Sequence, residues 1–189
     1  MDALAGLLSA FGLSASAGLN AYVPLLIVAL MARFTNWIRL ESPWDALTSG
    51  WVIGALVVLG LIEFFADKVP VANHINDVLQ TLVRPAAGAV LFAASTRVVT
   101  QIHPIVALIA GLVVAGSVHA VKAAAVRPAV TATTGGTGNI AISLTEDLIS
   151  LVVSILSIVV PVVIAAVIIL LTAYVVWWLW RREQSPRVA

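Results

Sequence analysis

Apolar residues occur along this chain in long runs separated by short polar segments. A membrane-spanning helix needs about 20 predominantly apolar residues. The runs that could form such helices, or parts of them, lie at 19–34, 51–69, 84–95, 104–126 and 148–180. Another run at 4–13 is separated from the first by the small, polar sequence "SASAG" at 14–18, which is typical of a broken or re-entrant helix. The pattern predicts five to seven membrane segments, with five complete spans favoured.

The last apolar run, residues 148–180, is longer than a bilayer is thick. A straight helix of this length would measure about 50 Å, against about 30 Å of hydrocarbon. Pro161 offers a break, so the run forms either one kinked, tilted helix or two spans. We favour one helix, because the sequence "SIVVPVVI" lacks the polar groups of an exposed turn. An interfacial aromatic belt and positive charges follow, which predicts a cytoplasmic C-terminus. These residues are Trp177, Trp178, Trp180, Arg181 and Arg182.

Composition indicates that lipid is the solvent of the whole chain. Of 189 residues, 61% are hydrophobic and 10% are charged, and the mean hydropathy is +1.09. Soluble domains carry about 45–50% apolar and about 25% charged residues. We therefore predict an all-α fold, a polytopic transmembrane helical bundle, with broken or re-entrant helices near residues 14–20 and 131–142. Residues 1–182 would form a single integral membrane domain, and residues 183–189 a short cytoplasmic tail.

Charge and cysteine usage exclude several kinds of site. The net charge of +1 gives no sign of the strongly basic surface that a nucleic-acid-binding protein carries. The chain has no Cys, which excludes disulfides, thiolate metal sites and cysteine nucleophiles. The N-terminus carries Asp2 and lacks the basic residues that begin a signal peptide, so we do not expect it to be a cleaved signal peptide.

Ionisable residues inside the apolar runs are the strongest functional signal. Each costs about 2.5–3.5 kcal/mol on insertion scales, and such groups usually face a bundle interior or a watery cavity. Glu63 and Asp67 share one helix face at i, i+4, and His119 and Lys122 share another at i, i+3. An interhelical Glu63–Lys122 or Asp67–Lys122 salt bridge is the structural alternative to a functional role. Glu63, Asp67 and His119 are also weak candidates for a metal site, since carboxylate and imidazole bind divalent cations.

Three further basic residues lie near the expected membrane boundaries. Lys68, Arg84 and Arg127 could reach the headgroups by snorkelling. Asp77 and Arg84 flank the point where a helix enters the membrane, and they form a second candidate charge pair.

The segment "TATTGGTGNIAISLTED" (131–147) is unexpectedly polar for this chain. Its end fits a capping box with Ser143 at the N-cap and Glu146 three residues later, which would place Glu146 and Asp147 in the first helical turn. The glycines before it free the backbone for close approach, and a glycine-rich segment before a helix N-terminus favours polar ligands. Asn20, at the first break, would offer a matching element, as in transporters built from broken helices.

Four stretches together resemble a known family: "SAGLNAYVPLL" (16–26), "EFFADKVPVANHINDVLQTLVRPAAGA" (63–89), "HAVKAAAVR" (119–127) and "TGNIAISLTED" (137–147). The chain is similar over nearly its whole length to a bacterial membrane-protein family known as the domain of unknown function four-one-two-six. The resemblance implies a small multi-span membrane protein and no particular chemistry. We expect the chain to lie in the bacterial inner membrane.

Three functions remain open at this point. The favoured hypothesis is a transporter or channel for a small polar or ionic solute. The second is a structural or accessory protein acting through partner helices or lipids, and the third a lipid-modifying membrane enzyme, for which no catalytic set stands out. We expect no cofactor, and as partners membrane lipids, the solute and possible further copies of the chain as a homo-oligomer. The predicted solute- or ion-binding residues are Asn20, Glu63, Asp67, Lys68, His119, Lys122, Arg127, Gly135, Gly136, Gly138, Asn139, Ser143, Glu146 and Asp147.

Overall fold

The computed structural model describes residues 2–67, 70–96 and 102–159, and the isolated positions 167, 170 and 174. Within this part of the chain every regular element is helical, which confirms the predicted all-α fold. The α-helices are α1 (Asp2–Leu19), α2 (Tyr22–Phe34), α3 (Gly50–Ala66), α4 (Pro70–Thr96), α5 (Pro104–Val121), α6 (Arg127–Thr134) and α7 (Gly138–Val159). A short 3-10 helix, Trp44–Thr48, precedes α3, and a π-helical segment, Lys122–Val126, joins α5 to α6.

Among the described residues, three helical segments are long and apolar enough to cross a membrane: Val78–Thr96, Pro104–Thr134 and Gly138–Val159. Leu4–Leu19, Tyr22–Phe34 and Gly50–Ala66 are apolar but shorter. The sequence favours five complete spans; the described residues contain three full-length candidates, and most of residues 160–180 of the last apolar run lie outside them. Helices α2 and α3 fall short of a full span because the break at Asn20 and the loop before α3 leave them with 13 and 17 residues.

The first helix break lies at the end of the region, residues 14–20, where the sequence predicts it. The sequence "SASAG" is helical as part of α1, and the chain leaves the helix only at Asn20 and Ala21. The Asn20 side chain explains the restart, since its Oδ1 accepts hydrogen bonds from the backbone N–H groups of Tyr22 and Val23, both at 3.0 Å. This is the bonding of a helix N-cap, for which Asn is among the preferred residues.

The second break is the turn Gly135–Thr137 between α6 and α7. Gly135 has φ 62° and Gly136 has φ 91°, values that only glycine adopts readily. Upstream of the turn, the π-helical segment is explained by Pro128, which has no N–H and whose ring would clash with the carbonyl four residues earlier in a regular α-helix. A local π-helical widening accommodates this proline and rotates the residues around it.

Helices α1, α4 and α5 pack closely through small residues. Ala107, Gly111 and Ala115 form a buried stripe on α5, and small residues of this kind let helix backbones approach closely. A Cβ atom on Gly111 would collide with the backbone of α4 at Gly88 and Ala89. The backbones of α4 and α5 therefore approach more closely than any residue but glycine permits here.

Helix α7 packs on α1 through serines. Ser143, Ser150, Ser154 and Ser157 recur on the buried face of α7 at helical spacing. The Ser16 hydroxyl of α1 lies 2.8 Å from Ser150 Oγ and 2.7 Å from Ser154 Oγ. Such hydroxyl contacts join helices where apolar burial gives little driving force between them.

Candidate functional site

The buried stripe of α5 continues from its small residues into His119 and Lys122, and there the interior becomes charged. Carboxylates and cations from α3, α4, α6 and α7 converge on this level of the bundle. We call this set the charge cluster: Glu63, Asp67, Arg84, His119, Lys122, Arg127 and Glu146. Every member is buried, and the cluster combines three acidic side chains, three basic side chains and one imidazole.

One half of the cluster is built around Arg84 of α4. Its Nη2 donates to Glu63 Oε1 at 2.8 Å, and its Nη1 donates to His119 Nδ1 at 3.3 Å. A guanidinium can only donate, so His119 Nδ1 must act as an acceptor. The imidazole proton then resides on Nε2, which lies 3.2 Å from the Thr81 hydroxyl. This arrangement selects the neutral form of His119 with its proton on Nε2.

The other half joins α3, α6 and α7 through Arg127 and Lys122. Arg127 Nη2 lies 3.2 Å from Asp67 Oδ2 and 3.5 Å from Glu146 Oε2, so it is shared between two carboxylates. Lys122 Nζ pairs with Glu146 Oε2 at 2.6 Å. Lys122 also donates to the carbonyl of Leu19 at 3.1 Å, the last residue of α1, where the helix dipole favours a cation.

Asp67 is held by neutral donors as well as by Arg127. Asn76 Nδ2 donates to its Oδ1 at 2.8 Å, and the Ser143 hydroxyl donates to its Oδ2 at 2.9 Å. The capping box predicted for Ser143 and Glu146 is therefore wrong. Helix α7 begins five positions earlier, at Gly138, so both side chains lie inside the helix and point to the charge cluster.

The Glu63–Arg84 pair is incomplete as a hydrogen-bonded unit. Arginine and carboxylate commonly pair through two parallel bonds, but here Glu63 Oε2 and Arg84 Nε are buried and have no hydrogen-bond partner. Gln80, one turn before Arg84, also has an unpartnered buried oxygen, Oε1. Each unsatisfied buried group costs about 1–3 kcal/mol. The cluster therefore retains both donor and acceptor capacity for a small polar molecule.

Asn20 and Asp147 form a separate polar contact beside the charge cluster. Asn20 Nδ2 donates to Asp147 Oδ1 at 2.9 Å. Asp147 thus turns towards α1 and α2, whereas its neighbour Glu146 turns towards Lys122 and Arg127. The two adjacent acids face different partners and do not form a paired-carboxylate site.

The glycine-rich turn does not join the cluster. The hydrogen bonds of its residues are local: Thr134 Oγ1 accepts from the Gly138 N–H at 3.0 Å, and Asn139 Nδ2 donates to Thr131 Oγ1 at 2.9 Å. Thr134 and Gly135 are exposed. Arg127 is the first residue of α6, and the length of this helix separates it from the turn. Gly135, Gly136, Gly138 and Asn139, predicted to bind the solute, therefore lie apart from the ionisable residues.

The predicted ion pairs have different partners in the structure. Glu63 pairs with Arg84 and Lys122 with Glu146, in place of the Glu63–Lys122 or Asp67–Lys122 bridge that the sequence offers as the structural alternative. Arg84 and Arg127 are buried in ion pairs and do not snorkel. Lys68 lies outside the described residues, and so does the Asp77 side chain, although the backbone of Asp77 belongs to α4.

No group of three or more His, Asp or Glu side chains in the described ranges is arranged to hold a metal ion. Sequence reasoning also missed Asn76 and Thr81, which bond to members of the cluster, and the buried Gln80, one turn before Arg84. Gln80 and Arg84 stand at i, i+4 on α4, and this spacing could have revealed Gln80 as a neighbour of the cluster.

Comparison with known proteins places the chain in a family without naming a chemistry. No curated protein and no solved structure matches it. One family model, described as domain of unknown function (DUF4126), matches residues 7–182. This match covers nearly the whole chain and agrees with the resemblance seen in the sequence. The protein belongs to the DUF4126 family.

Proposed function

We propose that the protein is a transporter or channel for a small polar or ionic solute, and that the charge cluster is its binding site. The observation that carries the proposal is the burial of three carboxylates, three cations and His119 together, among helices that could cross a membrane. Buried ion pairs rarely stabilise a fold more than well-packed apolar residues of similar volume. Intramembrane ionisable groups instead tend to line solute and proton pathways.

The pairing pattern supports exchange with a solute. Arg127 is shared between Asp67 at 3.2 Å and Glu146 at 3.5 Å, both longer than the 2.6 Å of the Lys122–Glu146 pair. A cation shared in this way can give up one carboxylate to an incoming group and keep the other. The unpartnered Glu63 Oε2 adds an acceptor to the same interior. A solute that carries donors, or a proton, would satisfy this oxygen.

The proposal includes a location and an orientation. We place the protein in the bacterial inner membrane with its C-terminus in the cytoplasm, because Arg181 and Arg182 follow an aromatic belt. We also propose a homo-oligomer, since the short helices α2 and α3 leave apolar side chains such as Phe34, Leu61 and Phe65 exposed on the isolated chain. Lipid or further copies of the chain would cover such surfaces.

Flux into proteoliposomes tests the proposal. Wild-type protein, Glu63→Gln and Lys122→Met would be reconstituted at equal density, with Asp45→Asn as a control that removes an acid from an exposed position. An entrapped pH dye under an imposed potential reports ion movement, and light scattering reports entry of neutral polar solutes. We expect flux above that of protein-free vesicles, at least about tenfold lower in both cluster variants, since hydrogen bonds to charged groups are worth about 1.5–3 kcal/mol. Equal flux in all four proteins would remove the cluster from the mechanism.

The second candidate is a structural or accessory membrane protein. It is favoured by the serine contacts between α1 and α7, which fix helix position and serve no solute. Wild-type vesicles no leakier than empty ones to ions and neutral solutes, together with recovery of one stable partner from the membrane, would favour this function over transport.

A further inference from the structure

Helices α1 and α2 form a hairpin that enters and leaves the bundle at the same end. Ser9 Oγ donates to the Ser157 carbonyl at 2.5 Å, and Asn20 Nδ2 donates to Asp147 Oδ1 at 2.9 Å, so α1 runs antiparallel to α7. Val28, in the second half of α2, lines a cavity of about 150 Å³ together with Ser9. Helix α2 therefore returns towards the end of the bundle at which α1 begins.

The hairpin tip, residues 19–22, lies between this cavity and the charge cluster. On one side of the tip, Lys122 of the cluster donates to the Leu19 carbonyl at 3.1 Å. On the other side, Ala21 and Leu25 are buried in the apolar core that extends towards the cavity. A polar solute would lose its hydrogen bonds to water in such a layer. The tip therefore separates the cluster from the end of the bundle at which α1 begins.

Helix α1 is held in place by its neighbours. The Ser14 hydroxyl lies 3.1 Å from the Gly88 carbonyl oxygen and 2.8 Å from the Gly111 carbonyl oxygen. A Cβ atom on Gly18 would collide with the Ala115 carbonyl of α5. Such close contacts with the backbones of α4 and α5 leave α1 no room to shift.

Helix α2, in contrast, has open space on one side. A cavity of about 320 Å³ lies between α2 and α3, and its apolar lining includes Val23 and Leu26 of α2 and Leu56 of α3. Gly60 contributes no side chain to this space, and a Cβ atom added to it would lie 3.5 Å from Tyr22 Cβ. In a membrane, acyl chains would occupy an apolar space of this kind. The start of α2 can therefore move towards α3 without displacing a packed side chain.

A side-chain hydrogen bond holds the start of α2 against α7. Asn20 accepts from the N–H groups of Tyr22 and Val23 through Oδ1 and donates to Asp147 Oδ1 through Nδ2, so it joins the two helices. We call the Asn20–Asp147 bond the latch. Within the described ranges, the other carboxylate oxygen of Asp147 has no hydrogen-bond partner. Breaking the latch would therefore free the start of α2 and leave the ion pairs of the charge cluster intact.

We propose that the start of α2 is a gate of the charge cluster. When the latch breaks, the start of α2 moves towards α3, and the cluster opens past Ala21 and Leu25 to the end of the bundle at which α1 begins. In the structure the latch is formed and the gate is closed, with α1 as the fixed wall against which it closes. The inference rests on the proposed transport function, for which the gate would let the cluster exchange solute with one face of the membrane.

Labelling of Leu25→Cys in intact membranes by a small, water-soluble methanethiosulfonate reports whether the gate is open. Asp147→Leu removes the acceptor of the latch, and Thr145→Leu, at an exposed position of the same helix, is its matched control. Asn20→Ser is a second latch variant, because serine still caps α2 but is too short to reach Asp147. Ser154→Cys, in the contact between α1 and α7, is a second reporter that an open gate would leave buried.

We expect the Leu25→Cys thiol to react at least about tenfold faster in each latch variant that folds than in Thr145→Leu, because a hydrogen bond to a charged group no longer holds the gate. The Ser154→Cys thiol should stay unlabelled in all of them. Equal rates for Leu25→Cys in the latch variants and in Thr145→Leu would overturn the proposal. So would labelling of Ser154→Cys in the latch variants, because it would indicate a general loosening of the bundle.

Filling the space between α2 and α3 tests the direction of the movement. Added to Asn20→Ser, Gly60→Leu should return the labelling of Leu25→Cys to the slow rate. Its control is Gly54→Leu on the same helix, where an added Cβ meets no atom within 4 Å, and there the fast rate should remain. Equal rates with Gly60→Leu and Gly54→Leu would overturn the proposal. Labelling does not require flux, so vesicles without flux would refute the transport function, whereas these rates alone decide the gate.

Discussion

Removing the cation from the Glu63–Arg84 pair should destabilise the protein strongly. Their side chains are 2% and 1% exposed, and the Nη2–Oε1 distance is 2.8 Å. Replacing Arg84 by Met preserves much of the side-chain length but leaves the Glu63 carboxylate buried without its counter-charge. Breaking a buried pair in this way costs about 3–5 kcal/mol. The loss of the Arg84–His119 hydrogen bond adds to the effect.

A double variant separates the charge effect from the change of shape. Combining Arg84→Met with Glu63→Gln removes both charges, so no unpaired carboxylate remains. Apolar or neutral replacements of a whole buried pair are often close to neutral in stability. We therefore expect the double variant to recover most of the loss that Arg84→Met causes.

Heat unfolding in detergent, followed by tryptophan fluorescence, measures these changes. For a protein of this size 1 kcal/mol corresponds to roughly 2–4 °C, so Arg84→Met should lower the midpoint by roughly 6–20 °C. Arg39→Met, at an exposed position, is the control and should stay near the wild-type midpoint. The account is refuted if Arg84→Met melts within about 2 °C of the wild type, or if the double variant is no more stable than the single one.

Three further changes probe the packing around the site by the same unfolding assay. Gly111→Val should cost at least about 1–3 kcal/mol, because its side chain would collide with the backbone of α4; an unchanged midpoint would show that these helices can separate. Ser16→Ala should cost about 1–2 kcal/mol by removing hydroxyl contacts to α7, whereas the exposed Ser117→Ala, which loses only a bond within α5, should cost less; equal losses would contradict the role of the serine contact. Asn20→Asp should place a second carboxylate against Asp147, so the stability of this variant relative to the wild type should rise as the pH falls and the carboxylates are protonated. A difference in stability that does not change with pH would count against that contact.

The membrane class and the meeting of acids with bases could be predicted from the sequence. Long apolar runs determine the first, and the cost of charges in lipid determines the second. The contact face of α5 could also be predicted, because the small residues Ala107, Gly111 and Ala115 recur every four positions and so share one side of the helix.

The individual ion-pair partners could not be predicted. Spacing shows that Glu63 and Asp67 share a helix face, but it does not show how that helix is rotated against its neighbours. The π-helical segment before Pro128 adds a rotation that a regular 3.6-residue period does not include. In the structure, Arg84 on α4 meets Glu63, and Lys122 meets Glu146.

The sequence places the start of α7 too late, at Ser143, because glycine and threonine usually indicate a loop. In the structure, Thr134 Oγ1 accepts from the Gly138 N–H and satisfies a donor at the helix start. The helix therefore begins before the apparent capping box at Ser143. The serines of α7 recur at helical spacing in the sequence, but each serine alone resembles an ordinary polar residue, so the pattern does not by itself indicate a helix contact.

The central claim is that water and solutes reach the charge cluster, and thiol labelling in intact membranes tests it most directly. The chain has no Cys, so Ser143→Cys and Ser154→Cys each introduce a single thiol on the buried face of α7. Ser143 contacts Asp67 in the cluster, whereas Ser154 contacts Ser16 in the α1–α7 interface, and the two are 1% and 0% exposed. The account predicts that a small, water-soluble methanethiosulfonate labels the cysteine at 143 and leaves the one at 154 unlabelled. Equal labelling of both, or of neither, would contradict it.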